Sequence, residues 1–67
     1  MAVLKVIEVL SNSDTSWEDA TAKAVSRASN SVKDIKSVFV QSQSAVVENG
    51  KVQEYRVNLK LTFAVKD

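Results

Sequence analysis

Cysteine and histidine are both absent from this 67-residue chain, and glycine occurs once. Without cysteine there is no disulfide to staple a small fold. Without histidine or cysteine the usual zinc ligand sets are gone as well. The same two absences remove the nucleophile–base pairs on which covalent catalysis rests. A glycine-rich phosphate loop cannot be built from one glycine. The serines are many, but none lies in G-x-S-x-G or S-x-x-K, and no D-x-D-x-D loop offers calcium a site. The chain therefore reads as a non-enzyme, with no assignable metal ligands. Its formal net charge is +1, with no basic cluster, which argues against nucleic acid and against an anionic membrane surface. The apolar stretch Val3–Leu10 is interrupted by Lys5 and Glu8. It is too short and too charged for a signal peptide or a transmembrane helix, so a cytoplasmic location is expected.

What the chain does have is a long alternating segment near its end. Tyr55, Val57, Leu59, Leu61, Phe63 and Val65 occupy the odd positions, and Arg56, Asn58, Lys60 and Thr62 fall between them. A period of two predicts a long strand with one buried face. A chain of this size, read as one domain over residues 1–67, buries only about 60% of the surface its unfolded form exposes. Small folds recover stability from disulfides, metals or oligomerisation. With the first excluded and no histidine or cysteine for the second, self-assembly is the expected staple.

Three further elements precede that strand. Residues 2–11 predict a first strand, and Ser11–Asp14 a polar turn. Ser16 reads as a helix N-cap with Asp19 three residues on, a capping-box spacing, and Glu18 adds a second carboxylate at the positive helix end. The helix is predicted from Trp17 to about Val32, with Trp17, Ala20, Ala24, Ala28 and Val32 as its apolar stripe. Asp19 and Lys23 form an i,i+4 pair. A second strand is predicted over Ile35–Glu48, and Asn49-Gly50 then marks a type I′ hairpin turn into a third strand from Val52. The pattern is α+β: a β-α-β-β order with a three-stranded antiparallel sheet packed on one helix.

The hairpin fixes an expected register. Glu48 opposes Lys51, Val40 opposes Leu59 and Val38 opposes Leu61 on an apolar face beneath the helix. On the second face Arg56 opposes Gln43, Asn58 opposes Gln41, Lys60 opposes Phe39, and Thr62 opposes Ser37. That face is a carpet of polar groups with one phenylalanine, suited to solvent, to an interior cavity or to a site between subunits. Trp17 reads as a core or interface anchor, and Phe39 as an interface contact. Arg56 reads first as a residue pairing with an acid across subunits, with Glu54 the nearest acid on its own strand, and second as a ligand contact.

The motifs together resemble one family. K-V-I-E-V-L at Lys5–Leu10, T-S-W-E-D-A at Thr15–Ala20, A-V-x-R-A at Ala24–Ala28, S-V-K-D-I at Ser31–Ile35 and the hairpin E-N-G-K-V-x-E-Y-R-V-x-L-K-L-x-F at Glu48–Phe63 are similar to those of the dodecins. The resemblance covers nearly the whole chain. It implies a small β-α-β-β subunit of a hollow homododecamer, many of which bind flavin and some coenzyme A in sites shared between subunits. It further implies that Ser37 stands where a tryptophan stacks on the flavin ring, and Arg56 where a glutamine meets the ring edge. Arginines that hold phosphorylated ligands fall at Ser44 and Ala64. Those changes place the chain nearer the branch that lacks the stacking tryptophan, for which ion binding is proposed. The resemblance therefore implies a ligand-storing shell, with riboflavin or FMN as the family's default cofactor and a divalent cation or a purely structural shell as the alternative. Ser37, Arg56, Phe39 and Gln43 are the candidate ligand residues. Ser37 and Arg56 lie roughly 20 Å apart along the strands at about 3.3 Å per residue, so a site using both must be made between subunits.

Overall fold

The computed structural model describes residues 3–65 in the order β1 (Val3–Ser13), α1 (Trp17–Ala28), β2 (Ile35–Glu48) and β3 (Lys51–Val65). The predicted β-α-β-β, α+β architecture is the observed one. The expected start of the first strand at Ala2 lies outside the described residues. β3 is the central strand, antiparallel to β1 on one side and to β2 on the other. The result is a slab with extents of 51 × 20 × 13 Å.

The core is correspondingly thin. Val57, Leu59 and Leu61 alternate on one face of β3 and are sealed from water, with Ala20 and Ala24 of the helix above them. Alanine lets the helix approach the sheet closely, and Val9 and Trp17 close the flanks. The helix lies over β1 and β3 and barely meets β2. Val38 and Val40 pair with Leu61 and Leu59 as expected. They nonetheless stay exposed rather than packing under the helix, because α1 does not reach over their strand.

The helix begins where the capping pattern places it. Ser16 has extended backbone, and its hydroxyl accepts the Asp19 N–H at 2.9 Å. The carboxylate does not complete a reciprocal box. Asp19 Oδ2 instead accepts the Ser13 hydroxyl at 2.6 Å and pairs with Lys23 at 3.0 Å. Ser13 Oγ in turn accepts the Thr15 N–H at 2.9 Å. Ser11–Ser13 therefore belong to β1 and not to a turn. Ser11 pairs with Val57 and donates to the Ala20 carbonyl at 2.9 Å, and Ser13 pairs with Tyr55. Tertiary partners override the local turn preference of these residues.

The helix also stops earlier than the apolar stripe suggests, at Ala28 rather than Val32. Ser29 sends its hydroxyl back to the Val25 carbonyl at 2.7 Å. The weak helix formers Asn30 and Ser31 then turn the chain toward β2. At the hairpin, Asn49 and Gly50 have φ of 53° and 74°, both in the left-handed region that a type I′ turn demands. The third strand begins one residue earlier than expected, at Lys51.

Candidate functional site

The β2–β3 ladder is not the uninterrupted one the hairpin implies. Val47 pairs with Val52 and Val46 with Glu54, so Gln53 is an extra residue on β3. Ser42 pairs with Asn58 and Val40 with Leu59, so Gln41 is an extra residue on β2. These two bulges cancel, and the pairs on either side keep the expected register, Glu48 with Lys51, Phe39 with Lys60 and Ser37 with Thr62, until a third shift at Lys36 sets Ile35 against Phe63. Between them every partner shifts by one. Arg56 faces Ser44 and Asn58 faces Ser42, rather than Gln43 and Gln41. A one-residue shift moves side chains to the other face of a sheet. Gln43 pairs with Val57, a core residue, so it lies on the helix side and not beside Arg56.

The sheet face away from the helix is thereby redefined. β1 contributes Leu4, Val6, Glu8, Leu10 and Asn12, opposite Ala64, Thr62, Lys60, Asn58 and Arg56. It is not the polar carpet expected from β2 and β3 alone. Leu4, Val6, Leu10 and Phe39 are 55%, 54%, 76% and 63% exposed. Toward one end this face forms an open groove of about 520 Å³, floored by Arg56 and Asn58 and walled by Leu10, Asn12, Ser42 and Ser44.

Charge in the groove is unevenly satisfied. Asn12 Nδ2 donates to Glu54 Oε1 at 2.9 Å, which fixes that carboxylate. Arg56 Nε lies 4.0 Å from the same oxygen, and its side chain is 59% exposed. Glu54 is thus the acid near Arg56, as the strand pattern suggests, but at a distance too long for a hydrogen bond. Asn58 Oδ1 is sealed from water, with no donor to it among the described residues. Behind the groove a single side chain ties the helix to β2: Trp17 Nε1 donates to the Ser44 carbonyl at 2.8 Å, and the indole packs edge-on to Tyr55 of β3 with centroids 4.9 Å apart.

Of the four candidate residues, Arg56 alone lines the groove. Ser37 and Phe39 share its sheet face further along β2, and Gln43 is on the other face. One subunit does not bring Ser37 and Arg56 together. Leu10, Asn12 and Ser42 are not candidates from the sequence, and Ser44 enters there only as a position where the resemblance places an arginine. The bulges that bring the serines alongside Arg56 have no local signature, and nothing in the sequence pairs β1 with β3. No group of three or more acidic residues converges among the described residues, and no described helix is long and apolar enough to cross a membrane.

Comparison with known proteins gives a concordant picture. The family model described as Dodecin matches residues 3–66. Calcium dodecin of Mycobacterium tuberculosis is 41% identical over 66 residues, covering 98% of this chain and 93% of that protein. Its crystal structure, described as that of a calcium-chelating immunodominant antigen with a novel calcium-binding site, superposes with a TM-score of 0.82 at 43% identity, over 96% of this chain and 91% of that one. Dodecin from Streptomyces coelicolor superposes with a TM-score of 0.94 at 29% identity, over 98% of this chain and 94% of that one.

Proposed function

The chain belongs to the dodecin family, and from that premise we propose that it is a non-enzymatic subunit of a cytoplasmic hollow homododecamer that holds a small ligand between subunits. The observation that carries this reading is the exposed row Leu4, Val6, Leu10 and Phe39 on the face away from the helix. A slab only 13 Å thick has no second layer of its own to cover that row. Each such side chain contributes about 1.5–3 kcal/mol when buried, and copies of the same chain supply the cover.

Flavin is the family's default ligand, and the residues here weaken it. Ser37 offers no ring where the resemblance places a stacking tryptophan, and Arg56 replaces a neutral ring-edge glutamine. We expect riboflavin and FMN to bind more weakly than micromolar.

The second reading, a shell that holds a divalent cation or serves structurally, is supported by the 41% identity to a protein named calcium dodecin. Calcium takes about six to eight oxygen ligands. One subunit does not provide them, since no three carboxylates converge among the described residues. A cation site would pool acids such as Glu8 and Glu54 from several subunits.

Parallel titrations of the purified assembly with riboflavin, FMN and calcium test the ligand reading. Flavin fluorescence reports the first two, and calorimetry the third. Tight stoichiometric quenching by either flavin would contradict the non-flavin assignment.

A further inference from the structure

We infer that Asn49 is a site of spontaneous covalent modification, at which the hairpin turn converts its own side-chain amide into a carboxylate. The chemistry needs neither a ligand nor a partner, only water.

The nucleophile is the Gly50 backbone nitrogen, and the electrophile is Cγ of Asn49, the residue before it. Attack forms an N–Cγ bond, closing a cyclic imide, and breaks the bond from Cγ to Nδ2. The proton of the Gly50 N–H passes to solvent, and the side-chain nitrogen leaves as ammonia. Water then opens the imide at either carbonyl. One opening gives aspartate. The other gives isoaspartate, in which the main chain runs through Cβ and Cγ. Nothing is oxidised or reduced.

Three of the chain's four asparagines are placed against this step. Asn12 lies within β1, and its Nδ2 donates to Glu54 at 2.9 Å. Asn58 lies in the central strand, followed by the sealed Leu59. Asn30 sits in an exposed loop, but the nitrogen it would need is occupied: the Ser31 N–H donates to the Ala28 carbonyl at 3.0 Å. Asn49 differs on each count. Asn49 and Gly50 are both exposed at the hairpin tip. The Gly50 N–H has no backbone acceptor among the described residues, because a two-residue loop closes its ladder through the flanking pair, Glu48 and Lys51. Glycine also brings no Cβ to crowd the attacking nitrogen, and nothing lies within 4 Å of where one would stand.

The backbone is part of the way to the reactive geometry. Asn49 has φ of 53°, and type I′ and II′ turns share a positive φ at this first central residue. They differ by a flip of the peptide joining the two central residues, which takes ψ of the first from about 30° to about −120°. That flip swings the Gly50 nitrogen toward the Asn49 side chain and breaks no backbone hydrogen bond at that nitrogen. The product sets a new carboxylate beside Glu48 and takes the formal net charge of the subunit from +1 to zero. Isoaspartate also lengthens the main chain inside the short loop that fixes the hairpin register.

The test incubates the purified, assembled protein in mildly alkaline water enriched in oxygen-18 and follows its tryptic peptides by mass spectrometry. Cleavage after lysine and arginine puts each asparagine in its own peptide, Asn49 in 37–51 and Asn30 in 28–33. Asn49 is expected to take up labelled oxygen at least about tenfold faster than Asn30, giving aspartate and isoaspartate together. Ser31→Gly creates a second Asn-Gly pair, with its nitrogen tied back to the helix end. In the folded variant Asn49 should keep a lead of about tenfold, and in urea the two sites should react alike. Gly50→Ala supplies the missing Cβ and should slow Asn49 by about tenfold or more. Native mass spectra taken before incubation report whether each sample is assembled; if Ser31→Gly is not, Asn49 and Asn30 of the parent carry the comparison. An Asn49 that stays intact in the folded protein while converting in urea overturns the inference, because the turn then guards the site. Equal rates at the two sites in folded Ser31→Gly overturn the part assigned to the hairpin geometry.

Discussion

Ser13 donates its hydroxyl proton to Asp19 Oδ2 at 2.6 Å, tying the last residue of β1 to the first turn of α1. This bond, followed by the contact with Lys23, holds the Asp19 carboxyl below its ordinary value of 3.8. A lowered carboxylate pKa contributes stability that is fully present above the unfolded value and is lost as pH falls through the folded one. Melting temperature should therefore be flat near neutral pH and fall below about pH 4. In Asp19→Asn that acid-side decline should be shallower. Thermal melts of the two proteins from neutral to acid pH check this, and parallel curves would contradict it.

Trp17 is expected to act mainly through its indole N–H, which reaches the Ser44 carbonyl at 2.8 Å. Trp17→Phe keeps an aromatic against Tyr55 but deletes that donor together with part of the ring that packs on the core. It should cost at least about 1 kcal/mol, read as a shift of the chemical denaturation midpoint. A variant with parental stability would mean that the carbonyl is satisfied by water instead.

At the hairpin, Gly50 has φ of 74°, and a Cβ built there would meet nothing within 4 Å. Any cost of Gly50→Ala therefore comes from backbone conformation alone. It should be about 1–2 kcal/mol, without change in assembly size. A neutral substitution would show that the turn relaxes to another type.

These residues also mark what the sequence could disclose. The alternation of Val57, Leu59 and Leu61, the Ser16 cap and the Asn49-Gly50 turn are local signals, and each sits where its pattern placed it. The end of α1 was less legible, because the stripe continued to Val32 while Ser29 bonded back to Val25. The site was least legible. Its register followed the turn as far as Val47 and was then displaced by Gln53 and restored by Gln41. Those are two glutamines in otherwise ordinary strand sequence. Leu10 and Asn12 reached the groove only through β1–β3 pairing, a long-range contact with no short-range signature.

The flavin reading makes a gain-of-function prediction. Ser37→Trp restores a stacking ring at the position the family resemblance marks. Each stack contributes about 1–3 kcal/mol, by analogy with bases on aromatics. Riboflavin affinity, followed by fluorescence quenching, should rise by at least about tenfold over the parent. No gain would mean that Arg56, not the missing ring, is what excludes flavin.

The measurement that bears most directly on the shell itself is a native mass spectrum of the purified protein at micromolar concentration. A shell subunit whose exposed face is covered by its own copies should give a dodecamer as the main species, without tightly retained flavin. A stable folded monomer as the main species would contradict the account.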